Sequence, residues 1–434
     1  MGRMRAILLI IVIAQASVFM DSAFEQECPV AEFEDFIEEE LWDGGYIRCY
    51  FSDPVLNKAG QDREYALLVK DAAVFAYTKL TREFGFPGVG RSQGIGKYRE
   101  RDKTIEIFIG DSETPNFKTS YFVPRTYEEL KVTWDAVILM PNEPDILRPR
   151  SKSALKRETL GSVVKGTVMH EITHALTFQC NKNIRGARFG ENWYVEGLAR
   201  FMETKAGSWS SFYAKGYERK AKEGYAFCLK EGANYFLKST NRPLSELSYD
   251  YAIFWQYIDS RFGARKLADI SIELGRLDEG SGTEGLKKVF RKALKKDPAD
   301  VYSGFIAHIY EKSVSTGLRD EDLDEVTSQD FDMGSGNSRA LSVHPLGINS
   351  HKLTNLTEGR VVMIKKTDAS ELLIQDMSED ENGGIVSKKM IVKGRKTFSL
   401  PGRAQKRRRI FIFNTDPSRQ AKYSLYSARV LNSL

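Results

Sequence analysis

The sequence predicts an α+β protein in three parts: a small N-terminal α/β lobe, a mainly helical lobe, and a small C-terminal β-sandwich. Three observations predict it. Helical and strand-like hydrophobic periods are mixed up to about residue 150, the period is helical from Ser153 onward, and near the C-terminal end it becomes two. A length of 434 residues suits two domains or three. Hydrophobic residues at 41% and charged residues at 28% are globular values, which excludes a disordered or fibrous chain.

The first segment reads as an address. Met1 to Arg5 carries two positive charges, Ala6 to Ile13 is uninterruptedly apolar, and Ala14-Gln15-Ala16 is a small-x-small cleavage pattern. Residues 1–23 are therefore expected to be a secretory signal peptide, placing the protein outside the cytoplasm, extracellular or periplasmic. The apolar run is too short for a stable membrane span. In an oxidising compartment Cys28, Cys49, Cys180 and Cys228 are expected to pair. Proximity favours Cys28 with Cys49 and Cys180 with Cys228, among three connectivities.

Residues 24–318 are expected to form one domain. Its α/β lobe, 24–150, holds a helix over Asp62 to Phe84, where Tyr65, Leu68, Val69, Ala72, Ala73, Ala76 and Leu80 recur at helical spacing before Gly85. Strands follow at Thr104 to Ile109 and Ala136 to Met140, the second stopping at Pro141. The acidic stretch Glu32 to Glu40 suits a propeptide. The helical lobe, 151–318, has helical periods around 154–180, 194–206, 211–230, 249–262, 265–275 and 284–295.

Seven acidic residues between Asp320 and Asp332, then Gly334-Ser335-Gly336, mark 319–338 as an acidic linker. The sandwich, 339–434, has strand periods at Arg360 to Lys366, Glu371 to Asp376, Lys388 to Lys393, Arg409 to Asn414 and Lys422 to Leu431. Residues 340–434 hold 17 Lys or Arg against 8 Asp or Glu, a net +9, so the remainder of this +5 chain carries −4. The densest basic run, Arg403 to Arg409, is expected to be a solvated hairpin guarding an edge strand, with contact to an anionic surface as the functional alternative. A pI near 8.7 gives no ground for a nucleic-acid partner.

The chemistry is carried by His170-Glu171-Ile172-Thr173-His174, an HExxH string inside the longest helical pattern. Residues four apart on a helix project from one side with Cβ atoms roughly 5–6 Å apart, so both imidazoles can reach one zinc ion. Glu171 points aside, toward a water rather than the metal. With five histidines and 34 glutamates, the expected number of chance HExxH strings is roughly 0.005.

A catalytic zinc site usually adds a third protein ligand and keeps one open position. A metzincin would continue with Gly and then His, where this chain has Thr177 and Cys180. Downstream runs Asn192-Trp193-Tyr194-Val195-Glu196-Gly197-Leu198-Ala199-Arg200-Phe201-Met202-Glu203. Here the sequence resembles the gluzincin-type zinc metallopeptidases, whose HExxH helix is followed some twenty residues later by a second helix bearing a Glu ligand in a Trp-x-x-Glu-Gly-x-Ala setting. Glu196 matches that ligand, 22 residues after His174. Gly197 and Ala199 would let the two helices approach closely. Glu191 is a rival from the preceding loop, and Glu203, two turns beyond Glu196 on the same face, is expected to support the site or the fold.

The resemblance spans about residues 100–310 and implies a zincin-like domain with one zinc ion on His170, His174 and Glu196, Glu171 as catalytic acid and base, and a peptide or protein substrate. It also implies that Tyr249, or failing that Tyr251, hydrogen-bonds the oxyanion, and that the 136–140 strand lies at the sheet edge beside the site. The Gly-x-Met-x-Asn element of gluzincin aminopeptidases is not found, so an exopeptidase assignment has no support. Two other classes stay open: a zincin-fold binding or adhesion protein without turnover, and a zinc hydrolase of a non-peptide bond. His308, His344 and His351 have no ligand spacing.

Overall fold

The computed structural model describes residues 35–51, 61–89, 104–110, 121–126, 134–141, 160–180, 191–206, 252–277, 282–315, 331–332, 338–343, 348–354, 360–368, 370–382, 384–401, 406–415 and 420–429. The signal-peptide region, Cys28, Cys228, the 211–230 helix, Tyr249, Tyr251 and His344 lie outside these residues.

The first sheet has five strands: β1 (Asp35–Glu40), β2 (Tyr46–Phe51), β3 (Thr104–Gly110), β4 (Tyr121–Thr126) and β5 (Trp134–Pro141), in the order β1-β2-β3-β5-β4. The central pairs β2/β3 and β3/β5 are parallel, and both outer pairs are antiparallel. Part of the stretch suited to a propeptide is thus strand β1, hydrogen-bonded along β2. The 136–140 strand is not at the edge: β5 pairs with β3 on one side and β4 on the other, so β4 is the edge. The physical reason is legible afterwards, since a continuous apolar run suits an interior strand, whereas β4 contains Pro124, which cannot donate to a ladder.

Helix α1 (Gln61–Thr78), extended by a π-helical turn (Lys79–Glu83), lies on this sheet against β1 and β2. Behind it runs α2 (Leu160–Cys180), packed on α1, β4 and β5. Most described positions of α2 are buried, as expected of a central helix whose apolar residues wrap round it. The remaining helices are α3 (Glu191–Lys205), α4 (Ala252–Phe262), α5 (Arg265–Gly275), α6 (Gly282–Leu294) and α7 (Pro298–Ser315). No helix among the described residues is long and apolar enough to cross a membrane.

The C-terminal strands form two layers. One sheet is β11 (Ile385–Lys393), β10 (Glu371–Glu379), β13 (Lys406–Asn414), β8 (Ile348–Thr354) and β6 (Phe331–Asp332), and the other is β12 (Thr397–Pro401), β9 (Arg360–Lys366), β14 (Ala421–Arg429) and β7 (Ser338–Val343). Leu372, Ile374, Ile410 and Ile412 from the first meet Val362, Ile364, Tyr423 and Leu425 from the second in one core. The expected linker contributes β6, which pairs parallel with Leu353 and Thr354 of β8.

Alternation along the strands gives the first sheet a second buried face. Leu373, Met377, Phe411 and Phe413 join the core of the helical lobe. There Tyr302 of α7 stacks on Phe413 with ring centroids 4.4 Å apart, and Asp300 pairs with Lys389 of β11. The basic run also turns partly inward: Arg408 is buried and grips both carboxylate oxygens of Asp376, at 2.9 and 2.6 Å, and Arg409 is buried too.

Cys49 and Cys180 are buried free thiols, and Cys28 and Cys228, their expected partners, lie outside the described residues. Burial raises both, Cys180 to about 12, so neither is a ready nucleophile or thiolate ligand.

Candidate metal centre

Two packed helices build the site. The α2 helix carries His170, Glu171 and His174, while α3 carries Glu196, whose neighbours Gly197, Leu198 and Ala199 are buried at the contact with α2. Small side chains at 197 and 199 allow that approach. A ligand atom from each of His170, His174 and Glu196 lies within 4.8 Å of the others.

Nε2 of His170 lies 2.9 Å from Nε2 of His174 and 3.3 Å from Oε2 of Glu196, and Nε2 of His174 lies 3.7 Å from Oε1 of Glu196. A tetrahedral zinc with bonds of about 2.0–2.2 Å separates its ligand atoms by roughly 3.3–3.6 Å. The donor set, two imidazoles and a carboxylate, also matches hydrolytic zinc sites that keep a fourth position open. The residues present could hold such an ion once the two Nε2 atoms, 2.9 Å apart, open to that separation.

Electrostatics follow from burial. For His170, burial favours the neutral ring, but hydrogen bonds to Glu196 and Glu203 outweigh it and raise the imidazolium. His174 moves down, first through burial and then through the adjacent His170 charge. Glu171 is buried at 3% exposure. Behind the triangle, Nδ1 of His170 donates to Oε1 of Glu203 at 2.8 Å, and Nη1 of Arg200 donates to Oε2 of the same carboxylate at 2.7 Å.

The sequence-predicted residues therefore divide. The structure brings His170, His174 and Glu196 together and buries Glu171 on the same helix. Glu191 is the first residue of α3 rather than part of a loop. Glu203 supports His170, and Arg200, which sequence reasoning passed over, completes that support; the only prior signal was an Arg three residues before a Glu on one helix face. Elsewhere His351 is buried with Nε2 2.7 Å from the Tyr423 hydroxyl.

No protein-family model matches the sequence, and no curated protein does. Among solved structures, PirA is similar at 26% identity over 21% of this chain and 93% of that chain, with a TM-score of 0.18. A family GH115 4-O-methyl-alpha-glucuronidase with specificity for decorated arabinogalactans is similar at 8% identity over 76% of this chain and 56% of that chain, with a TM-score of 0.14. Neither likeness reaches the level at which a shared fold follows.

Proposed function

We propose that this chain is a secreted zinc-dependent peptidase of gluzincin type, hydrolysing peptide bonds in a peptide or protein substrate. One observation carries the reading: the HExxH histidines place their Nε2 atoms 2.9 Å apart, each within 3.7 Å of a carboxylate oxygen of Glu196 on the second helix. His170 and His174 would hold the ion through Nε2, and Glu196 through its carboxylate. Such an ion, when bound, supplies Lewis acidity that acidifies water and polarises a carbonyl.

The rest is done by side chains. Glu171 takes a proton as the water oxygen bonds to the peptide carbon, then delivers it to the nitrogen as the C–N bond breaks. The buried setting of Glu171 suits an acid and base that must hold a proton between those events. Tyr249 is assigned the hydrogen bond to the developing oxyanion. Glu203 and Arg200 keep His170 oriented.

The test is hydrolysis of casein and of a peptide library by the secreted protein, with and without chelator, beside Glu171→Gln. Chelator-sensitive cleavage that falls by several orders of magnitude in Glu171→Gln supports the reading. Cleavage surviving in Glu171→Gln contradicts it, and a metal-loaded wild type that cleaves nothing points to a binding protein.

A further inference from the structure

We propose that β11, at the free edge of its sandwich sheet, is a docking site where an extended acidic segment of a protein or peptide joins the sheet as an added strand. Its ladder runs to β10 alone, and no strand among the described residues lies beyond it. Along that outer side alternate residues turn N–H and C=O groups outward, a template for another chain. Nine residues rise about 30 Å, which offers about four such pairs.

The remaining edges are blunted. Among the described strands β1 carries Glu38, Glu39 and Glu40, β4 contains Pro124, β6 has two residues, β7 has six, and β12 has five and ends on Pro401. Strand β11 is longer than any of these and holds neither proline nor glycine. Its middle is open: residues 386–389 are exposed, and Val386 and Ile391 are 43% and 46% exposed. The strand is nonetheless anchored at both ends, because Val392 belongs to the sandwich core and Ile385 packs against the core shared with the helices.

Charge identifies the occupant. From Ile385 to Lys396 the chain has five cations, Lys388, Lys389, Lys393, Arg395 and Lys396, and no acid. Successive side chains alternate faces, so each face of the edge presents one lysine and then one apolar residue: Lys388 and Met390 on one, Lys389 and Ile391 on the other. The complementary strand has two adjacent acids followed by two aliphatic residues. That order sets a carboxylate beside each lysine and an aliphatic side chain beside Met390 and Ile391. A second copy of β11 is the poorer occupant, since full-length antiparallel pairing sets the central Lys389 against its own copy.

Fluorescence anisotropy of a labelled peptide repeating Glu-Glu-Val-Val, titrated with the full chain in chelator, tests the proposal; a chain without peptidase activity would still show the binding. Affinity is expected to be at least about 10-fold higher than for a repeat of Glu-Glu-Pro-Pro, which keeps the charge but lacks the backbone donors of a strand. Lys388→Glu combined with Lys393→Glu, both at exposed side chains, should weaken binding by about 10-fold. Hydrogen exchange of the wild type should slow at the outward amides of β11 when the peptide binds. No binding by the wild type, equal affinity for the two peptides, full affinity in the double variant, or slowing confined to α2 and α3 overturns the proposal. Should the double variant fail to fold, the two peptides on the wild-type chain decide.

Discussion

The Nε2 nitrogens of His170 and His174 lie 2.9 Å apart, hydrogen-bonding distance for two imidazoles that cannot both be cationic so close together. Burial opposes the His170 imidazolium, but hydrogen bonds to Glu196 and Glu203 outweigh it and raise that group, while burial and the neighbouring His170 charge lower His174.

Metal uptake through Nε2 of His170 would displace the proton that the raised imidazolium carries. We predict release of about one proton per ion near neutral pH, and tighter binding as the pH rises, because only the deprotonated His170 can ligate. The sign follows from the raised value: His170 stays protonated well above its ordinary 6.5, so the competition persists through the neutral range. Calorimetric titration with zinc in buffers of differing ionisation heat measures the release. Uptake independent of pH would contradict it.

A second prediction concerns the junction between helices and sandwich. Tyr302 is 1% exposed and Phe413 is fully buried, and their stacked rings lie in one core to which both the helices and the sandwich contribute. Tyr302→Ala should cost about 3–5 kcal/mol by opening a cavity there. The five tryptophans all precede residue 256, so their fluorescence follows the first two lobes, while far-UV circular dichroism follows the whole chain. Coincident urea transitions are expected; separate ones would show a sandwich unfolding on its own.

The third lies inside the sandwich. The fully buried Lys366 ammonium donates to the backbone carbonyls of Asp368 and Gly394 at 2.6 and 3.3 Å and lies 3.2 Å from the Asp368 carboxylate. Burial disfavours the ionised Asp368, but hydrogen bonds from Ser370, Lys422 and Lys366 outweigh it and hold the carboxyl below its ordinary 3.8. A depressed carboxylate contributes stability that is complete above that ordinary value and lost as pH falls through the lower folded one. Asp368→Asn should cost about 1–3 kcal/mol at pH 7. The difference from wild type, read by urea melts, should shrink below pH 3.8.

The helix bearing His170 and His174 was legible because HExxH fixes both spacing and residue type, and the glutamate that meets them because Gly197 and Ala199 flank it. Helical periods read at 265–275 and 284–295 coincide closely with α5 and α6. Other features depend on contacts distant in sequence. Asp35–Glu40 reads as an acidic tract because its strand has only Phe36 and Ile37 as apolar residues, and pairing with β2 makes it a strand. The Arg408 guanidinium looks solvated in a basic run until Asp376, 32 residues earlier, is found beside it. Helix α7 begins at Pro298, a first-turn proline that could have announced it. The duty of Glu203 follows from where α2 places Nδ1 of His170.

The central claim is that His170, His174 and Glu196 hold one zinc ion. Zinc-edge X-ray absorption on the purified full chain, with metal content, tests it directly. The account predicts one zinc per chain, two imidazole nitrogens and oxygen ligands at about 2.0–2.2 Å, and loss of the ion in Glu196→Ala. A chain that takes up no zinc, a sulfur ligand in its shell, or full occupancy in Glu196→Ala would contradict it.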